Sequence, residues 1–256
     1  MKTGPSQEPA MRADQSLDAA LITVVLALFT ASAFGLTELA GGEVRWEPKE
    51  WKGVHDSAKG LILPLLMLRL GLALHGRVKE KGLRNRLFIA MALCWVGDIA
   101  LTFSGDGAFL VGLVSFLLGH LFYLLAFRHL YTTGWSKGSP LNRGLAGGVM
   151  LVVASFVALV LWKPAGDLGP AVALYALVIA AMAYCSWAAA KGPGVWALRI
   201  GASVFVISDV ILAFGRFGEA PVAHGHFWVM GTYIAAQWAL AVGFTEVALN
   251  REANRQ

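Results

Sequence analysis

Apolar residues in this chain fall into long, nearly unbroken stretches rather than short alternating or striped patterns. A run of about 20 such residues is what a helix needs to cross the hydrocarbon core of a bilayer. Eight spans are predicted on that basis, at residues 18–40, 58–76, 84–104, 108–130, 144–162, 168–190, 195–215 and 226–248. The segments between them carry glycine, proline and charge, as in "HGRVKEKGLRNR", "GWSKGSPLNR", "WKPAGDLGP" and "KGPG". The expected fold is all-α, a polytopic membrane protein of eight transmembrane helices forming one domain over 18–248. A disordered polar segment at 1–17 is expected before it, and a disordered polar tail at 249–256 after it. The stretch "LITVVLALFTASA" has the outline of a signal-peptide core with an A-x-A site. Acids balance the bases ahead of it, however, and the apolar run continues through "FGLTELAGG", so it is read as an uncleaved first span.

Composition agrees with this reading. The chain has 256 residues, 57% hydrophobic and only 14% charged, too few charges to solvate the surface of a water-soluble globule. Its net charge of +5 and pI near 9.4 would ordinarily raise the question of nucleic acid. No basic helix or aromatic-interleaved patch is present to bind one. In a membrane protein, excess Lys and Arg instead report orientation, because basic loops stay in the cytoplasm. The amino terminus, the second, fourth and sixth loops with the span ends beside them, and the carboxyl terminus hold fourteen, including Arg77, Lys79, Lys81, Arg84 and Arg86. The opposite side holds six. Both termini are therefore expected in the cytoplasm, with a bacterial inner membrane as the home of a multi-pass protein. Trp46 and Trp51 mark an interfacial segment in the first outer loop, and Cys94 and Cys185 fall inside spans as core residues.

Two carboxylates interrupt the apolar pattern: Asp98 in "CWVGDIALTF" and Asp209 in "FVISDVILAF". A buried unpaired carboxylate is costly, and ionisable groups inside membrane helices usually face the protein interior and mark function. Asp98 lies about fourteen residues, roughly 21 Å, into the third span, and Asp209 lies at a similar depth in the seventh. "GDIALTF" and "SDVILAF" echo each other four spans apart, as a parallel duplication into two four-helix halves would produce.

Other polar residues reach that level: Ser115, His120 and Tyr123 on the fourth span, and Thr232, Tyr233 and Gln237 on the eighth. Lys59 and Arg216 stand at the outer ends of the second and seventh. Each has a plain structural alternative. His120, Ser115, Thr232 and Gln237 can serve as interhelical hydrogen-bonding groups, and Lys59 and Arg216 as interface anchors. Arg69, deep in the second span, can snorkel or pair with an Asp. His224 and His226 form an H-x-H pair without an evident third ligand. No metal and no cofactor are expected.

At these residues the chain resembles the YhhN-like lysoplasmalogenase family, eight-span membrane enzymes that cleave the vinyl ether bond of lysoplasmalogens. The resemblance covers about 20 to 248. It rests on "AKGLILPLL" (58–66), "GDIALTF" followed by "FLVGLVSFLLGHLFYLLAF" (97–127), and "SDVILAFGRF" followed by "GTYIAAQ" (208–237), in the family's order and spacing. Asp98, the Gly119-His120 pair and the Ser208-Asp209 pair match the family pattern. Lys59 is followed by Gly60 where a Lys-Pro is usual. Gly215 stands before Arg216-Phe217 in place of an Asn, and Ile234 follows Tyr233 where a second Tyr is usual before Ala236-Gln237.

The resemblance implies a lysophospholipid substrate in the membrane, cleaved to a fatty aldehyde and a glycerophospho-ethanolamine or -choline. Vinyl ether hydrolysis begins with proton transfer to carbon, giving an oxocarbenium ion that water captures. Glycosidases pass through a comparable state with two carboxyl groups, and a close buried pair can share one proton. Asp98 is taken as acid and Asp209 as base, the reverse being equally compatible with the sequence. His120, Tyr123, Ser208, Tyr233 and Gln237 would orient water and carboxyls, and Lys59 and Arg216 would hold the substrate phosphate. The alternatives are a proton-coupled transporter built on the same acids and a zinc-dependent lipid hydrolase, which needs three ligands around a water.

Overall fold

A computed structural model of the chain describes residues 20–21, 23–25, 27–29, 36–38, 44–46, 51–218, 222 and 224–255. The expected polar segment at 1–17 lies outside these. Two short strands, β1 (Leu36–Glu38) and β2 (Val44–Trp46), pair antiparallel with Leu36 opposite Trp46. Seven helices follow: α1 (Trp51–Leu74), α2 (Lys81–Ala100), α3 (Asp106–Thr132), α4 (Pro140–Trp162), α5 (Gly169–Trp187), α6 (Val195–Phe217) and α7 (Gly225–Ala253). A single 3-10 turn, Gly166–Leu168, precedes α5.

Three sequence expectations are corrected here. Described residues from 20 to 29 are helical, but the first span does not run on to residue 40, because β1 occupies 36–38 and pairs with β2. Apart from this hairpin of three-residue strands, the described elements are helical, as an all-α fold requires. The second helix begins at Trp51, seven residues before the expected 58. Its polar first turns are supported by the Lys52–Asp56 pair at 2.7 Å, four residues apart on one face. At the other end α7 continues to Ala253 where a disordered tail was expected. Arg251 holds it by donating to the carbonyls of Leu130 (3.1 Å) and Thr133 (2.9 Å).

By length and composition, six helices among the described residues can cross a bilayer: α1, α3, α4, α5 with its preceding turn, α6 and α7. α2 carries Arg84, Arg86 and Asp98 among its 20 residues, too many charges for composition alone to mark it as a span. Large apolar side chains cover the outside, most densely on α4, where Leu141, Leu151, Val152, Phe156 and Leu159 are all exposed. Such a surface suits lipid and not water, and the chain is an integral, multi-pass membrane protein.

Six of the helices close into a ring. α1 packs on α2, α2 on α3, α3 on α5, α5 on α6, α6 on α7, and α7 returns to α1. α4 sits outside, chiefly against α5. The ring's core is built from Leu63, Leu66 and Leu70 of α1, Leu87 and Met91 of α2, Phe127 of α3, Phe205 of α6 and Phe244 of α7. Its tightest seams, α2/α3 and α6/α7, depend on glycine. A Cβ at Gly119 would stand 2.8 Å from Cys94 Sγ, and one at Gly201 would stand 2.8 Å from the Leu240 backbone nitrogen. Small residues allow such backbone approach within a membrane.

Pro64 lies inside α1 and has no N–H to give the carbonyl of Gly60, four residues back. The indole of Trp95 on α2 donates to that carbonyl at 2.8 Å instead. The defect in one helix thereby becomes a tie to the next.

Candidate active site

Each helix of the ring contributes at least one polar side chain to a single cluster. They are Lys59 from α1, Asp98 from α2, His120 and Tyr123 from α3, Tyr175 from α5, Asp209 from α6, and Tyr233 and Gln237 from α7. Asp98 stands in the last turn of α2 and is only 4% exposed. The Tyr233 hydroxyl donates to its Oδ2 at 2.7 Å. Gln237, one turn further along α7, donates Nε2 to the Tyr233 oxygen at 3.4 Å. Its own Oε1 accepts from the Tyr123 hydroxyl at 2.7 Å. The order Tyr123, Gln237, Tyr233, Asp98 thus gives every donor an acceptor and ends on a carboxylate.

Asp209 is held separately. The Tyr175 hydroxyl donates to its Oδ2, and the same hydroxyl lies 3.5 Å from His120 Nδ1. His120 Nδ1 is 2.7 Å from the Phe116 carbonyl. A carbonyl only accepts, so Nδ1 carries the proton and Nε2 is left with a lone pair. His120 is 0% exposed, and among the described residues its Nε2 has no hydrogen-bond partner. The ring is fixed edge-on by Phe205, with centroids 4.5 Å apart, and by Tyr175 at 5.5 Å.

The two carboxyl groups share no hydrogen bond, yet they lie within each other's electrostatic reach. Their surroundings differ. Asp98 also feels the buried ammonium of Lys59. Asp209 borders a narrow apolar cleft with Tyr175, Phe109, Leu113, Phe116 and Phe217. The cleft volume is about 40 Å³, close to that of one water molecule.

Arg216 closes the outer end of this cleft. Its guanidinium pairs with Asp106 at the start of α3 and stands over the rings of Phe109 (5.2 Å) and Phe217 (5.7 Å). Those two rings meet edge to face at 5.5 Å. Beside Lys59, His55 and His226 bring their rings to 4.8 Å, with Asp56 within electrostatic reach.

Most of the residues expected from sequence converge: Asp98, Asp209, His120, Tyr123, Tyr233 and Gln237, with Lys59 at the margin. Arg216 stands apart at the mouth. Ser208 commits its hydroxyl to the Val229 carbonyl at 3.0 Å, tying α6 to α7. Thr232 bonds the Trp228 carbonyl of its own helix and so is not a link between helices. His224 begins α7 with φ 53°, and His226 meets His55 rather than His224. Among the described residues no three His, Cys, Asp or Glu are placed to hold a metal ion.

Tyr175 is the residue that sequence reading missed. A depth count would have found it. It lies about 9 Å past the start of α5, and Asp209 lies about 12 Å before the end of the antiparallel α6.

The pattern of the YhhN family matches residues 55–244. Lysoplasmalogenase TMEM86B from Sus scrofa is 33% identical over 166 residues, covering 64% of this chain and 66% of that protein. Its Homo sapiens counterpart is 34% identical over 148 residues, 58% of each chain. Lysoplasmalogenase TMEM86A from Bos taurus is 28% identical over 194 residues, 72% of this chain and 76% of that protein. The chain thus spans just under two thirds of the pig TMEM86B protein and 58% of the human one. No solved structure matches.

Proposed function

The chain belongs to the YhhN family, and from that premise we propose that it is a membrane lysoplasmalogenase. It hydrolyses the vinyl ether bond of a lysoplasmalogen to a fatty aldehyde and a glycerophospho head group, such as glycerophospho-ethanolamine or -choline. One observation carries the reading. Two carboxyl groups lie in each other's field inside a closed helical ring, each held by a tyrosine hydroxyl.

The reaction consumes one water. A carboxylic acid protonates the alkene carbon remote from the ether oxygen, leaving an oxocarbenium ion. Water adds to that cation and returns a proton to the carboxylate pair. The hemiacetal then collapses to the aldehyde and the free glycerol hydroxyl. Preorganised charge next to the developing cation is the largest contribution a protein can make here.

The surroundings favour Asp209 as the acid and Asp98 as the anion, the reverse of the assignment taken from sequence. Asp209 borders the apolar cleft and has no cation among the described groups that act on it, a setting that favours its neutral form. Asp98 is enclosed and has Lys59 as counter-charge. His120 Nε2 is an acceptor suited to orienting the attacking water, and Tyr123, Gln237 and Tyr233 fix the Asp98 carboxylate. Lys59, with His55 and His226 at the rim, supports a head-group phosphate in the same region. Arg216 takes part in that contact only by releasing Asp106.

The Lys and Arg distribution supports cytoplasmic termini, with the site towards the opposite face of a bacterial inner membrane. α2 and α6 each carry one acid and are each followed by a helix packed tightly on them, as two parallel halves would be. The test is incubation of the purified protein with lysoplasmenyl-ethanolamine. Aldehyde release supports the reading, whereas uptake of substrate into vesicles without aldehyde favours a transporter.

A further inference from the structure

A second cavity, of about 730 Å³, opens at the far end of the bundle from the two acids. Its volume falls in the range of about 300–1,000 Å³ typical of small-molecule sites. The last turns of α3 wall it with Leu121, Leu124, Leu125 and Arg128, and Tyr184 and Cys185 of α5 form the opposite side. Lys137 of the α3–α4 connection and Arg143 of α4 complete the polar end. The Tyr131 hydroxyl donates to the Cys185 carbonyl at 2.6 Å and fixes the two walls together.

The charge here is one-sided. No carboxylate lines the cavity, and none of Arg128, Lys137 and Arg143 forms a salt bridge among the described residues. Lys137 lies over the Tyr131 ring at 5.7 Å. The Nε of Arg143 is buried and makes no hydrogen bond among the described residues. Leu121 and Leu125 are exposed on the lipid-facing surface, so the apolar wall continues outwards into the bilayer.

The cavity is separate from the acid cluster. Leu121, Leu125, Arg128 and Thr132 follow one stripe of α3, whereas Phe116, His120, Tyr123 and Phe127 follow the inward one. Arg128 lies about 12 Å further along the helix than His120.

We propose that this groove binds one anionic phospholipid. Its head group lies among Arg128, Lys137 and Arg143, and one acyl chain lies along Leu121 and Leu125. Basic pockets between membrane helices suit such head groups, and an open apolar wall at bilayer depth suits a lipid chain better than a soluble partner. The proposal stands independently of the reaction catalysed at the acids.

The experiment titrates the detergent-purified full chain with phosphatidylglycerol and with phosphatidylcholine of the same chains, reading bound lipid by native mass spectrometry. One phosphatidylglycerol per chain is expected, bound about tenfold or more tighter than phosphatidylcholine, as three basic groups near a head group warrant. The combined variant Arg128→Gln, Lys137→Gln and Arg143→Gln should abolish that preference. Leu125→Trp, which fills the apolar wall and leaves the charges, should weaken both lipids. Equal binding of the two lipids by the native chain, or an unchanged preference in the triple variant, overturns the proposal. So does full displacement of the lipid by millimolar inorganic phosphate, since the groove would then hold only an anion.

Discussion

Tyr175 of α5 donates its hydroxyl proton to the Asp209 carboxylate of α6, joining two helices of the ring at the edge of the apolar cleft. The bond engages Oδ2 and so restrains rotation of the Asp209 carboxyl group. Tyr175→Phe preserves the ring that packs on His120 and removes only the O–H. We expect kcat to fall about tenfold or more, ~1.4 kcal/mol of barrier, with KM little changed. Aldehyde release at saturating lysoplasmalogen measures it, and a native rate would show that Tyr175 only packs.

Asp98→Asn and Asp209→Asn keep size and hydrogen-bonding capacity but remove a titrating group. Each should leave less than about a tenth of the native turnover, with the protein still inserted and monodisperse in detergent. A variant that retains more takes its residue out of the mechanism.

Proton delivery to carbon leaves an isotopic record. Turnover in heavy water should place one deuterium on the carbon next to the aldehyde, read by trapping the product before carbonyl exchange. The saturated alkyl-ether analogue, lacking the alkene, should bind without cleavage. An unlabelled product would mean that the bond breaks by another route.

The α2/α3 seam can be tested without touching a polar group. In Gly119→Ala the new methyl meets Cys94 Sγ at 2.8 Å and the Ala90 carbonyl at 3.1 Å. A loss of about 1–3 kcal/mol is expected from such overpacking, together with reduced activity as His120 is displaced. Gly148→Ala on α4, where no described residue would lie within 4 Å of the new methyl, is the control and should leave thermal unfolding unchanged or slightly raised.

Much of this site was legible in the sequence because charge inside an apolar run is conspicuous. Asp98 and Asp209 stand out on any hydropathy reading, and His120, Tyr123, Tyr233 and Gln237 follow from counting depth along neighbouring spans. Tyr175 was hidden because a tyrosine in "ALYALVIAAMAY" is half apolar and looks like packing. The early start of α1 was hidden for the opposite reason. Lys52, His55, Asp56 and Lys59 look like a loop, yet they are helical, and His55, Asp56 and Lys59 stand near His226 at the rim of a polar site. Ring closure, α7 against α1, joins residues far apart in sequence, and no local pattern encodes it.

Distribution of the site over six helices also constrains how the protein is made. Asp98 and its hydrogen-bond donor Tyr233 are 135 residues apart. At translation rates of about 5–20 residues per second, roughly 7 to 27 seconds separate their synthesis. Through that interval the nascent chain carries a membrane-embedded acid whose permanent partner does not yet exist. Lys59 emerges before Asp98, on the helix that packs against α2, so the newly inserted acid meets a cation first and a phenol last. The hydrogen-bond order around Asp98 therefore cannot be completed before α7 is made.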